Sequence, residues 1–150
     1  EYVIKPQFEA ANDFSNGLAS AAYRAGHNQA GKYGFIDKTG NWAIQQTFER
    51  AGTFSEGLAR IRMNELWGFI NPAGKIVINP QFDNVDEFSN GLAAVKLNGK
   101  WGYINNAGHI VVEPNLDRVY SFQNGLALTR IGNQLAYIDQ KGQAVWQFEE

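Results

Sequence analysis

Hydrophobic and polar positions along this chain alternate in a pattern that recurs. The apolar runs "LAAVKL" (Leu92–Leu97) and "KWGYI" (Lys100–Ile104) flank the polar pair Asn98-Gly99. Asn-Gly between two such runs signals a two-residue hairpin, because both central residues of a type I′ turn need positive φ. A second turn follows in "NNAG" (Asn105–Gly108), with Asn first and Gly fourth, and then a β-branched run, Ile110–Val112. The three runs predict a three-stranded antiparallel meander. The connector ahead of it spaces Phe82, Val85 and Phe88 three residues apart, which predicts a tight helical turn or a loop pinned by its apolar residues, not a strand.

The whole pattern is tandem. Phe14, Phe54, Phe88 and Phe122 open "FSNGLA", "FSEGLA", "FSNGLA" and "FQNGLA"; the last three copies are 34 residues apart and the first step is 40. Tyr33-Gly34, Trp67-Gly68, Trp101-Gly102 and Leu135-Ala136 keep the same interval. Self-similarity at a fixed period marks a repeat architecture. Cutting before the β-branched run divides a single repeat domain, 1–150, into units 1–40, 41–74, 75–108 and 109–142, with a partial fifth copy at 143–150. The expected fold is all-β: a tandem array of 34-residue meanders, open and solenoid-like. A closed, propeller-like array is the alternative, less suited to three strands because propeller blades have four.

Folding the hairpin about Asn98-Gly99 sets Val95 opposite Gly102, Lys96 opposite Trp101 and Ala94 opposite Tyr103. Val95 and Ile104 then share one face, and Lys96, Trp101 and Tyr103 the other. The missing side chain of Gly102 leaves room for Val95 or for a neighbouring aromatic ring. The same register puts Arg62 opposite Trp67 and Arg130 opposite Leu135. Arg62, Lys96 and Arg130 are therefore equivalent, and the first two are expected to lie over indole rings. Arg62, Trp67, Lys96, Trp101, Tyr103 and Arg130 form the candidate binding strip. Against it stands a structural reading, in which the aromatic residues are inter-repeat core and the long basic stems roof them with their charges in water. An acid also recurs, at Glu9, Glu49, Asp83, Asp117 and Glu149. An acid at a turn start is expected to cap backbone N–H groups or pair with a neighbouring base.

Composition narrows the possibilities. A formal charge of −2 supplies no electrostatic reason for a nucleic-acid partner. The absence of Cys removes disulfides, thiolate metal sites and a Cys nucleophile. No apolar run approaches the roughly 20 residues of a membrane helix. His27 and His109 occupy unrelated positions, so no metal-ligand spacing is present and no cofactor is expected. A catalytic site should break the repeat, and the one strong break is the inserted stretch Ala25–Ala30 around His27. An enzyme is not expected.

The stretch "NGKWGYINNAGHIVVEPNLDRVYSFQNGLA" resembles the bacterial WG-repeat family, also called KWG repeats, and the resemblance runs through the whole chain. It implies tandem β-rich units, often attached to other domains in a longer protein, and no catalytic residues. The fourth unit departs by writing Leu135-Ala136 for Trp-Gly. A weaker likeness is to the choline-binding repeats of cell-wall modules. The expected function is non-catalytic binding or scaffolding, with a protein or cell-envelope polymer as partner. The alternatives are a structural spacer between flanking domains and carbohydrate binding through the aromatic–basic strip. An exported or envelope location fits the lack of Cys.

Because the connector's apolar residues recur with the repeat, they are expected to be core. Phe88→Ala should lower stability by about 3–5 kcal/mol in denaturant unfolding. An unchanged midpoint would refute the assignment.

Overall fold

The computed structural model describes residues 7–23 and 31–149, all as strands, turns and loops; among them there is no helix. The inserted stretch around His27 and the first apolar run, through Pro6, lie outside the described residues. The strands form four antiparallel sheets of four, in chain order. The first contains β1 (Phe8–Ala11), β2 (Leu18–Tyr23), β3 (Tyr33–Asp37) and β4 (Trp42–Phe48), and the second β5 (Arg50–Ala51), β6 (Ala59–Met63), β7 (Leu66–Ile70) and β8 (Ile76–Phe82). The third contains β9 (Asn84–Val85), β10 (Leu92–Leu97), β11 (Lys100–Asn105) and β12 (Ile110–Leu116), and the fourth β13 (Arg118–Val119), β14 (Leu126–Ile131), β15 (Gln134–Asp139) and β16 (Ala144–Glu149). By contacts the chain divides into two compact units, Glu1–Gln81 and Phe82–Glu150.

The hairpin register is the one the sequence predicts. Lys96 is opposite Trp101, Val95 opposite Gly102 and Ala94 opposite Tyr103. Asn98 and Gly99 have φ of 51° and 80°, the positive pair of a type I′ turn. In the fourth sheet only Gly132 of the Gly132-Asn133 turn has positive φ, the pattern of a type II′ turn with Gly first. The second turn also forms as expected: Gly108 N donates to Asn105 O at 2.9 Å, and Gly108 has φ of 83°.

Three expectations are corrected by the structure: the strand number, the unit boundaries and the role of the Trp-Gly glycine. The sheets have four strands, not three, because the connector is itself a strand: Asn84 and Val85 pair with Lys96 and Val95. A two-residue strand shows no alternation, so periodicity could not reveal it. The unit boundaries also move. Each β-branched run pairs with the hairpin before it, so β16 completes the fourth sheet rather than opening a fifth copy. Phe82, Val85, Phe88, Val95 and Ile104 are all buried, as expected.

The Trp-Gly glycine explains the fourth strand. A Cβ on Gly102 would stand 2.3 Å from Val112 O and 2.8 Å from Pro114 N; Gly34 and Gly68 would place theirs 2.4 Å from Ile44 O and Ile78 O. The glycine thus clears space for the main chain of the next strand, not for Val95 or an aromatic ring. That strand bulges here. Trp101 is opposite Leu116 and Tyr103 opposite Val112, so two residues of β11 span four of β12. The bulge turns Leu116 into the core, as it does Phe48 in β4. The fourth sheet, with Ala136 at the glycine position, runs in regular register from Gln134 opposite Glu149 to Tyr137 opposite Trp146.

This contrast predicts opposite tolerances. Gly102→Ala should cost about 1–3 kcal/mol, since a main-chain carbonyl must move. Ala136→Gly should cost no more than about 1 kcal/mol, the loss of β-strand preference alone. Equal costs in chemical denaturation would refute the role given to the glycine.

Candidate functional site

The candidate strip is built at the hairpin ends, where each sheet follows the last after a single residue. That residue is the recurring acid. Its backbone N–H donates to the carbonyl of the equivalent basic position: Glu49 to Arg62 at 2.9 Å, Asp83 to Lys96 at 2.9 Å and Asp117 to Arg130 at 2.8 Å. At Glu49 and Asp117 the side chain reaches the hairpin turn. Glu49 Oε2 accepts from Glu65 N at 3.1 Å and lies 4.0 Å from Arg62 Nε. Asp117 Oδ2 accepts from Gly132 N at 2.7 Å, while its Oδ1 accepts from Lys100 Nζ. Lys100 and the Gly132 N–H together hold the Asp117 carboxyl below the usual carboxylate range. The expectation that the acids cap backbone N–H groups holds at these two positions, and each also meets a base.

The cations sit over the rings in one of two cases as expected. Lys96 Nζ lies 5.9 Å from the Trp101 ring centroid. Over Trp67 the cation is Arg60, with Cζ 5.7 Å from the centroid, not Arg62. Arg62 is opposite Trp67 in register, but its Nε donates to Glu65 O at 3.3 Å. Arg60 shares its face two residues earlier, since successive side chains alternate. Arg130 Nε is likewise drawn to its own turn, donating to Gly132 O at 2.6 Å. Trp67 and Trp101 are half-buried, and Trp101 packs against the core that contains Leu116 and Tyr103.

Tyr103 is not part of an accessible strip. It is buried against Phe122, ring centroids 5.0 Å apart, and its hydroxyl donates to Tyr120 O at 2.7 Å. Burial pushes its phenol well above the usual tyrosine range. The inter-repeat core reading is therefore correct for this residue. Among the described residues no group of three or more His, Asp or Glu is placed to hold a metal ion.

The Phe-Ser-x-Gly-Leu-Ala stretch, whose Phe is core at Phe54, Phe88 and Phe122 as the sequence predicts, is also a contact device. Its central pair is a second type I′ turn: Asn90 and Gly91 have φ of 54° and 79°, and Ser89 N and Leu92 O bond at 2.9 Å. Asn-Gly at Asn16, Asn90 and Asn124 carried that signal, the same dipeptide as at Asn98. In the first unit Phe54 packs on Phe35, centroids 5.0 Å apart, and Ser15 Oγ donates to Phe54 O at 2.6 Å. In the second, Phe122 packs on Tyr103 and Ser89 Oγ donates to Phe122 O at 2.9 Å. Within each compact unit the first turn thus grips the Phe of the second.

A family model, the WG containing repeat, matches residues 1–22, 33–67, 67–101 and 101–134, and the chain belongs to that family. None of the curated proteins matches it. In fold it is similar to Hsv2 of Kluyveromyces lactis, with a TM-score of 0.63 and 12% identity over 96% of this chain and 51% of that one. A second Hsv2 structure gives 0.59 and 12% over 96% and 52%. The chain spans about half the length of these structures. At such identity the likeness is one of fold.

Asp117 makes a pH prediction. Its folded pKa is lowered, so its ionised form favours the folded state above the ordinary carboxylate range, and that contribution is lost as pH falls through the lowered value. Asp117→Asn should lower stability at neutral pH and flatten the acid limb of the stability–pH curve. An acid limb unchanged from the parent chain would show that the contact carries no linkage.

Proposed function

We propose that this WG-repeat chain is a non-catalytic binding or scaffolding module for a protein or a cell-envelope polymer, engaged at the hairpin ends of successive repeats. The observation that supports this most is the recurring cation over a half-buried indole, Arg60 with Trp67 and Lys96 with Trp101. An indole face takes the apolar side of a sugar ring or an aliphatic chain, and the neighbouring cation takes a carboxylate or phosphate. Arrays of like units present one such anchor per repeat, so affinity grows with the number engaged.

The spacer reading has its own support, because Trp101 packs against the buried cluster that contains Leu116 and Tyr103. The two readings separate on paired measurements. Lys96→Ala combined with Arg60→Ala should abolish cosedimentation with purified bacterial cell-wall polymer while the melting temperature stays within a few degrees. Trp101→Ala should lower stability by several kcal/mol, in the manner of a core truncation. Undiminished cosedimentation of the double variant would remove the proposed strip, and the spacer reading would replace it.

A further inference from the structure

Two turns of one kind bracket β10. Asn90-Gly91 precedes the strand and Asn98-Gly99 follows it. Both are type I′, with φ of 54° and 79° at the first and 51° and 80° at the second. An Asn followed by Gly is the pair at which an amide side chain most readily closes on the main chain, because Gly puts no Cβ in the path of attack. Dipeptide and backbone conformation give the two turns the same chemistry. The surroundings of their side chains do not.

Asn90 is held at both ends of its carboxamide. Nδ2 donates to Ser89 Oγ at 3.1 Å and to Phe122 O at 3.3 Å, and Oδ1 accepts from Gly125 N at 3.3 Å. Its main-chain carbonyl accepts from Gln140 Nε2 at 2.8 Å. To turn its carboxamide toward Gly91, Asn90 must leave the junction in which Phe122 is buried. That is a local opening with its own unfavourable equilibrium.

Asn98 is exposed at the hairpin tip, and among the described residues no hydrogen bond reaches its carboxamide or the Gly99 N–H. In the second sheet the equivalent N–H, that of Glu65, donates to Glu49 Oε2 at 3.1 Å. Asp83, the acid that matches Glu49, makes no such bond to Gly99. Opening the Asn98 turn frays only the Leu97–Lys100 pair, half-buried and exposed, and leaves the core in place.

We infer that Asn98 is a site of spontaneous deamidation in the folded chain, and that the repeat junction shields Asn90 from the same reaction. The Gly99 main-chain nitrogen gives up its proton and attacks Asn98 Cγ. The Cγ–Nδ2 bond breaks, and the amide nitrogen leaves as ammonia, carrying that proton. The resulting cyclic imide takes up one water. Opening on one side gives Asp, and on the other isoaspartate, in which the main chain runs through Cβ and Cγ. No oxidant or reductant takes part. Either product puts a carboxylate between Lys96 and Lys100. Isoaspartate also adds a carbon to a two-residue turn whose geometry has no place for it. The reaction therefore alters both the charge and the shape of the hairpin that carries Lys96 and Trp101.

The test is peptide mapping by mass spectrometry, with isoaspartate resolved from Asp, on the purified chain aged in mildly alkaline buffer. The expected result is conversion of Asn98 to both products about tenfold or more faster than conversion of Asn90, the gap set by the opening of the junction. In urea, where no junction exists, the two residues should convert at comparable rates. Ageing should lower the melting temperature of the parent chain but not of Asn98→Gly, since Gly-Gly also fits a type I′ turn. Asn98→Asp, with the new charge on an ordinary main chain, should melt near the unaged parent. Equal rates in the folded chain, an Asn98 that keeps its amide until urea is added, or a rate gap that persists in urea would each overturn the inference.

Discussion

The close approach of a strand's main chain to the Trp-Gly glycine organises everything that follows it in each repeat. A carbonyl 2.3–2.4 Å from where a Cβ would stand admits no other residue without movement. With that space cleared, the fourth strand bulges and delivers a large apolar residue, Phe48 or Leu116, to the core at its end. One residue later the chain enters the next sheet. At Glu49, Asp83 and Asp117 that residue is the acid, so its N–H bonds the next hairpin, and the carboxylates of Glu49 and Asp117 reach the turn. Glycine, bulge, core residue and acid form one causal sequence. The fourth sheet shows the converse, where Ala136 accompanies a regular ladder and an exposed Trp146.

Repeats of this kind do not close their own cores. Tyr103 needs Phe122 from the following turn, and Phe35 needs Phe54. Ser89 and Ser15 fix the approach by bonding to the carbonyl of the residue that is buried. A directional bond from a hydroxyl and a non-directional ring contact act on the same Phe. The first holds its main chain and the second buries its side chain. Stability in such a system is carried by neighbours, as expected when each unit meets mainly the next.

The surface chemistry follows from the same junctions. The basic residues at the hairpin ends are not free-standing charges. Arg62 and Arg130 bend to their own turns, and Lys100 is held by Asp117. Arg60 and Lys96 lie over indoles, and it is these two that the proposed binding surface rests on. Sequence position alone treated Arg62, Lys96 and Arg130 as alike; turn carbonyls and nearby carboxylates separate them.

The sequence by itself determined the all-β class, the 34-residue period, the cross-strand partners of each hairpin and the conformation of its Asn-Gly turns. These rest on local rules, the two-residue period of strands and the φ demands of tight turns, which a short stretch carries within itself. It also located the acids, because they recur at one place. Only the tertiary structure decided that Asn84-Val85 is a strand, that the β-branched run belongs to the sheet before it, and that the glycine accommodates a carbonyl ten residues downstream. It alone showed that Arg60 covers Trp67 and that Tyr103 is core while Tyr137 is not. Those outcomes depend on partners distant in sequence. Two residues carry no periodicity, and the burial of Tyr103 depends on Phe122, a ring nineteen residues away that packs on it.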